Sequence, residues 1–252
     1  MTSQVETVTA AILVIGDEIL SGRTKDKNIG YIADFLGNLG IDLREVRIVP
    51  DEEAEIVGAV NALRARYTYV FTTGGIGPTH DDITADSIAK AFGVGIEEDP
   101  RAIKLMLERY KLEDLNPARR RMARIPVGAD LVENPVSKAP GFKLGNVIVM
   151  AGVPSVMHAM LDNAAKLLQT GTRMLFETIE AEGLPEGAYA AALGSIAEAH
   201  AAAVSIGSYP LFQDGLFRNR IVVRGRTQDA VAAAAGAVRG MLAELRARQN
   251  AL

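Results

Sequence analysis

Along the first half of the chain the apolar positions switch repeatedly between a strand-like and a helix-like period. Residues 10–15 form a short, β-branched apolar run that stops at Gly16, as a strand buried on both faces would. Ile29, Ile32, Leu36 and Leu39 then recur at helical spacing, and the pattern closes at Gly40. Residues 41–49 are strand-like, and Pro50-Asp51 reads as the opening of a second helix whose buried stripe is Ile56, Val60 and Leu63. A third strand over residues 67–73 runs into a glycine loop, after which Ala85, Ile88, Ala89 and Phe92 share one helical face that ends at Gly93. Repeated βα units with short connections predict a parallel sheet covered by helices on both faces, with right-handed crossovers.

The second half is less regular. The pattern predicts a helix over 100–110, a basic stretch from Asn116-Pro117 to Pro126, and strands at 129–132 and 147–150 joined by a turn-rich loop. A helix follows from Pro154 to about residue 168, and Gly171 is the candidate boundary between domains of residues 1–170 and 171–252. Beyond it, strands at 174–180, 204–208 and 218–224 and helices at 186–201 and 229–248 describe a small α+β appendage.

Composition narrows the chemistry. The chain has 252 residues and 48% hydrophobic content, enough for one large domain or two unequal ones, and without cysteine it excludes disulfides, thiolate metal sites and a cysteine nucleophile. Residues 1–16 lack the basic and apolar regions of a signal peptide, Glu6 interrupts them, and no later run approaches the roughly 20 apolar residues of a spanning helix. The expectation is a cytoplasmic protein with no membrane partner. With 27 basic against 31 acidic residues there is no electrostatic footprint for nucleic acid, so the expected partner is a small molecule, and a homo-oligomer is expected.

In an open parallel sheet, ligands bind outside the carboxyl ends of the strands. Three such ends carry polar, glycine-rich sequence: Gly16-Asp17-Glu18, then Gly74-Gly75-Ile76-Gly77-Pro78-Thr79-His80-Asp81-Asp82, then Ala151-Gly152-Val153-Pro154-Ser155. Glycines let backbone N–H groups approach a phosphate, and a helix starting near Thr84 points its positive end the same way, so the loop reads as an anion cradle. Asp81 and Asp82 beside a diphosphate would repel it without a cation between them. A divalent metal (Mg²⁺, Mn²⁺ or Co²⁺) held by Asp82, Asp81 and Glu18, with Asp17 beside them, resolves the conflict. The competing reading makes Asp82 a helix cap and Asp81 a turn residue. His80 reads as a proton shuttle or as a solvated loop histidine, and the run Arg119, Arg120, Arg121 and Arg124 as a phosphate clamp or a solvated helix face.

Taken together, Gly16-Asp17-Glu18-Ile19-Leu20-Ser21-Gly22 with Asp26 and Asn28, residues 73–84, and Asn134-Pro135 through Ala139-Pro140-Gly141-Phe142 with Gly152-Val153-Pro154 resemble the MoaB/Mog molybdopterin-binding fold. The variants most like them are the CinA N-terminal domain and the molybdopterin-binding-like domain of eukaryotic FAD synthase. The segment Ile206-Gly207-Ser208-Tyr209-Pro210 and the strand after it resemble the region C-terminal to that domain in FAD synthase. The resemblance implies a three-layer α/β/α sandwich with a mostly parallel sheet. It also implies a nucleotide or pterin diphosphate bound by Gly74, Gly75, Gly77, Pro78, Thr79, Asn28, Ser137, Lys138, Gly141, Gly152 and Pro154, with the metal at Asp82.

MogA-type members adenylylate molybdopterin, whereas the CinA and FAD-synthase types are associated with metal-dependent hydrolysis of ADP-ribose or FAD pyrophosphate. Pro78-Thr79-His80-Asp81-Asp82 resembles the latter pair. Ser137 and Lys138 depart from the glycine and threonine of the CinA pattern, and Lys138 either adds a positive charge to a phosphate or is a solvated loop lysine. The expected activity is that of a metal-dependent nucleotide pyrophosphatase, with Asp82, Asp81 and Asp17 catalytic. The alternatives are a non-catalytic binding module and molybdopterin adenylylation. With the sequence ending at Leu252, neither the amidohydrolase of full-length CinA nor the synthase half of FAD synthase is expected.

Overall fold

The parity of the first strand decides the layering. In β1 (Thr9–Ile15), Ala11, Leu13 and Ile15 pack into one apolar cluster while Ala10, Ile12 and Val14 pack into another, and none of the six is more than 3% exposed. A strand apolar on both faces is stable only between two layers of helices. Full burial of each large aliphatic side chain contributes about 1.5–3 kcal/mol.

The computed structural model describes residues 7–213 and 215–249. The reading of residues 1–6 as no part of a leader lies outside the described residues. The described residues divide into two compact units, with the boundary between Gly171 and Thr172.

In the first unit β1 is followed by α1 (Asp17–Leu20), α2 (Asn28–Asn38), β2 (Asp42–Val49), α3 (Glu53–Arg66), β3 (Tyr69–Thr73) and α4 (Thr84–Phe92). Then come β4 (Ile96–Glu98), α5 (Pro100–Met106), α6 (Pro117–Arg121), β5 (Arg124–Pro126), β6 (Asp130–Val132), β7 (Gly141–Leu144), β8 (Val147–Met150) and α7 (Pro154–Ala164). The main sheet has the order β2-β1-β3-β8-β7-β6; the first four strands are parallel, and β7 alone runs against its neighbours β8 and β6. Buried side chains of α3, α4 and α5 cover one face and those of α2 and α7 the other. This is the expected three-layer sandwich with a mostly parallel sheet.

The differences from the sequence reading have local causes. The helix expected from Pro50-Asp51 starts only at Glu53, which leaves Asp51 at the carboxyl end of β2. Strand β7 was hidden because Pro140-Gly141 reads as a turn, yet Gly141 begins a buried strand. A Cβ there would lie 2.1 Å from the Val149 carbonyl oxygen, so the glycine serves the close approach of β7 to β8. The hairpin of β4 and β5 is too short to show a period and lies outside the main sheet. Helix α5 stops at Met106, short of the predicted residue 110.

The second unit contains β9 (Leu175–Glu182), α8 (Glu186–His200), β10 (Val204–Tyr209), β11 (Phe212–Gln213), β12 (Leu216–Gly225) and α9 (Gln228–Gln249). β12 is the central strand, antiparallel to β9 and β10, and its inward residues Ile221 and Val223 pack with Tyr189, Val231 and Val238. The two-residue strand β11 is below the length that a sequence pattern reveals. Among the described residues no helix is long and apolar enough to cross a membrane.

Candidate functional site

Adjacent parallel strands β1, β3 and β8 end on the same side of the sheet, so the loops after them meet. Gly74 N–H donates to the Met150 carbonyl at 3.2 Å and Gly16 N–H to that of Val49 at 3.1 Å. A Cβ on Gly74 would sit 2.1 Å from the Ile15 carbonyl oxygen, and one on Gly152 would sit 3.2 Å from Gly74 Cα. Backbone crowding of this kind is what the glycines permit. Gly75, at φ 65°, is pressed against helix α4: Thr84 N–H donates to its carbonyl at 3.0 Å, and the fully buried Thr84 hydroxyl donates to the Gly74 carbonyl at 3.0 Å.

The loops border a cleft of about 520 Å³. Of the residues singled out from sequence, Glu18, Gly74, Gly75, Gly77, Asp82, Ser137, Gly152 and Pro154 are on its wall. Ile76, Met122, Ala139 and Val156 supply an apolar side. The Asp82 carboxylate lies over Gly77, with Oδ2 accepting from Thr79 N–H at 2.8 Å and from the Thr79 hydroxyl at 2.5 Å. Asp82 is not a helix cap: the N-cap of α4 is Ile83, with no side-chain capping bond. Thr79 therefore acts by holding Asp82, and Pro78 belongs to the same turn.

Other predicted residues lie off the wall. Asn28 is buried and its Nδ2 donates to the Gly152 carbonyl at 2.8 Å, so it fixes the third loop from behind. Lys138 Nζ is paired with Glu108 Oε2 at 2.6 Å, which spends on a neighbour the charge assigned to a phosphate. Gly141 packs against β8 and shapes the sheet rather than the cleft. Asp81 and His80 are exposed, 3.8 Å apart, and Asp17 is exposed with its N–H donating to Asp51 Oδ2 at 3.0 Å.

Two residues that organise the site were not singled out. Asn134 is 3% exposed; its Oδ1 accepts from Val136 and Ser137 N–H, and its Nδ2 donates to the Ala139 carbonyl, which shapes the loop on the far wall. Asp51 stands where a strand end should have drawn attention, masked by its reading as a helix start. Burial raises its pKa, as do the nearby carboxylates of Asp17, Glu18 and Asp81, against the lowering effect of the Asp17 N–H. The loop ends thus carry surplus negative charge.

That charge and the donor set suit a hard divalent cation. Glu18 and Asp82 offer carboxylate oxygens on the cleft wall. Among the described residues no group of three or more His, Cys, Asp or Glu side chains could hold an ion by itself. A cation here would take one or two carboxylates and fill its shell from ligand phosphate and water, the usual arrangement for Mg²⁺.

Known proteins agree with this architecture. Residues 11–170 match the family described as probable molybdopterin binding domain, and residues 173–250 that of the FAD synthase middle domain. A protein from Pyrobaculum arsenaticum is 37% identical over 187 residues, 70% of this chain and 71% of that one. A CinA-like protein from Citrifermentans bemidjiense is 39% identical over 75% of this chain, and a probable FAD synthase from Caenorhabditis elegans 30% identical over 93%. The matched part is 48% and 50% of those two relatives' lengths. The crystal structure of CinA from Thermoplasma acidophilum, a protein of unknown function, shares 36% identity at a TM-score of 0.60, covering 64% of this chain and 97% of that one.

Proposed function

The chain belongs to the probable molybdopterin binding domain family, with an FAD synthase middle domain after it, and on that footing we propose that it hydrolyses the pyrophosphate bond of a nucleotide diphosphate such as ADP-ribose or FAD in a metal-dependent reaction. The observation that carries this reading is that the glycine loop at Gly75 and Gly77 and the carboxylates of Glu18 and Asp82 line one cleft, whereas the Gly74 N–H is taken by the Met150 carbonyl. A binding module for an anion needs the cradle; two carboxylates beside it are costly unless a cation joins them to the ligand.

In this reading the N–H groups of Gly75 and Gly77 bind the diphosphate and stabilise charge that develops on its oxygens. Asp82 and Glu18 would hold the cation, which would supply charge neutralisation and polarisation of the phosphorus. Asp82 or Glu18, the carboxylates on the wall, would also orient the attacking water, since Asp17 and Asp81 lie off it. Water oxygen bonds to phosphorus, the bridging P–O bond breaks, and the water proton leaves with the carboxylate or solvent. The products are AMP and a second monophosphate. The apolar side at Ile76, Met122, Ala139 and Val156 suits a flat ring.

Because a ligand that binds only the native state raises its apparent stability, a panel of nucleotide diphosphates can be screened by melting temperature with and without metal. Ligand and metal together are expected to shift melting more than the sum of their separate shifts. Equal shifts in the presence of a chelator contradict the cation bridge.

A further inference from the structure

The four arginines between residues 119 and 124 do different things in the fold. Arg119 donates to the Asp114 carbonyl, Arg120 pairs with Glu98, and Arg124 grips Asp86 of α4 through both terminal nitrogens at 2.9 and 2.6 Å. Arg121 reaches the backbone of the glycine loop. Its Nη2 donates to the Asp82 carbonyl at 3.1 Å and lies 3.7 Å from the Asp86 carboxylate, one helical turn on. Its Nε is buried with no hydrogen-bond partner in the protein, beside a cavity of about 20 Å³ lined by Gly75, Ile76, Gly77 and Asp82. That space is about the size of one water molecule.

We propose that Arg121 is a positioning residue of the cleft: by holding the Asp82 carbonyl against the first turn of α4, it fixes the Asp82 carboxylate over Gly77. The segment needs such a brace. Helix α4 has no side-chain N-cap, and the Asp82 N–H reaches the Thr79 carbonyl only at 3.3 Å. Arginine suits the task because its planar guanidinium directs an N–H at the Asp82 carbonyl with the Asp86 carboxylate 3.7 Å from the same nitrogen, whereas a lysine ammonium is a compact, undirected charge. The brace also explains a hairpin that adds nothing to the main sheet: α6 and β5 carry Arg121 and Arg124, and both reach the start of α4.

This inference rests on the reading of Asp82 as a working carboxylate, and its test separates the two. Arg121→Gln, Arg121→Lys and Arg124→Gln are compared in the full chain. The first readout is the Thr79 amide resonance, since that N–H reports on the Asp82 carboxylate without any turnover. It is expected to move in Arg121→Gln, to move less in Arg121→Lys, and to stay in place in Arg124→Gln. In hydrolysis assays Arg121→Gln is expected to lose about 100-fold in kcat with little change in KM, the scale of a misplaced group, and Arg121→Lys to recover part of it. A Thr79 amide unchanged in Arg121→Gln overturns the proposal whatever the turnover. Displacement of that amide in a protein whose wild type hydrolyses no nucleotide diphosphate upholds the brace and sinks the hydrolase reading instead.

Discussion

Asp82→Asn is expected to abolish most hydrolysis while leaving the fold intact. Asparagine keeps the shape of the side chain and an oxygen to accept from Thr79 N–H and its hydroxyl, the two bonds that now hold Asp82 in place. What it loses is the charge that would hold the cation beside the diphosphate. The charge assistance of those two bonds is worth about 1 kcal/mol, so melting should fall by no more than about 4 °C. Loss of Lewis-acid stabilisation worth several kcal/mol should lower turnover by roughly 100-fold or more. Near-normal turnover contradicts the role of Asp82. A large fall in melting temperature with proportionate loss of activity makes Asp82 a clamp for the loop and nothing more.

The largest effect on stability is expected at Gly74. Its φ is 104°, and a Cβ would lie 2.1 Å from the carbonyl oxygen of Ile15, a backbone atom at the end of the interior strand β1 that cannot turn aside. Gly74→Ala should cost about 3 kcal/mol through backbone strain and collision, or roughly 6–12 °C in melting temperature. Gly22 provides the comparison, because its φ is 70° but nothing stands within 4 Å of the added methyl group. Gly22→Ala should cost only about 1 kcal/mol. Equal melting of the two variants, measured by calorimetry, contradicts the crowding of the β1 and β3 ends.

How far the sequence could be read depended on how local each feature is. β1, α2, α4 and β8 were legible because apolar period and terminal glycine agree; Gly93, for instance, ends α4 in the left-handed conformation with φ 68°. The strand-end rule likewise pointed to the loops at Gly16, Gly74 and Gly152, and Gly74 does lie against both Ile15, the residue before Gly16, and Gly152. Asp51 escaped because proline followed by an acidic residue is also a common helix start, and nothing local shows that the helix waits until Glu53. Lys138 and Arg121 are the clearest pair. Both are cations near the loops, and no spacing reveals that Glu108 takes one while the other turns to the Asp82 carbonyl. Strand β7 and the β4–β5 hairpin are pairings between segments too short to leave a period behind.

The central claim is that the glycine loop and its carboxylates cleave a pyrophosphate rather than merely hold one. The direct measurement is chromatography of the products after the purified chain is incubated with ADP-ribose or FAD and Mg²⁺, Mn²⁺ or Co²⁺. The expected result is AMP together with ribose 5-phosphate or FMN in equal amounts, formed only with metal present and suppressed in Asp82→Asn. Intact nucleotide diphosphate, recovered under conditions in which binding to the same protein is measured, contradicts it.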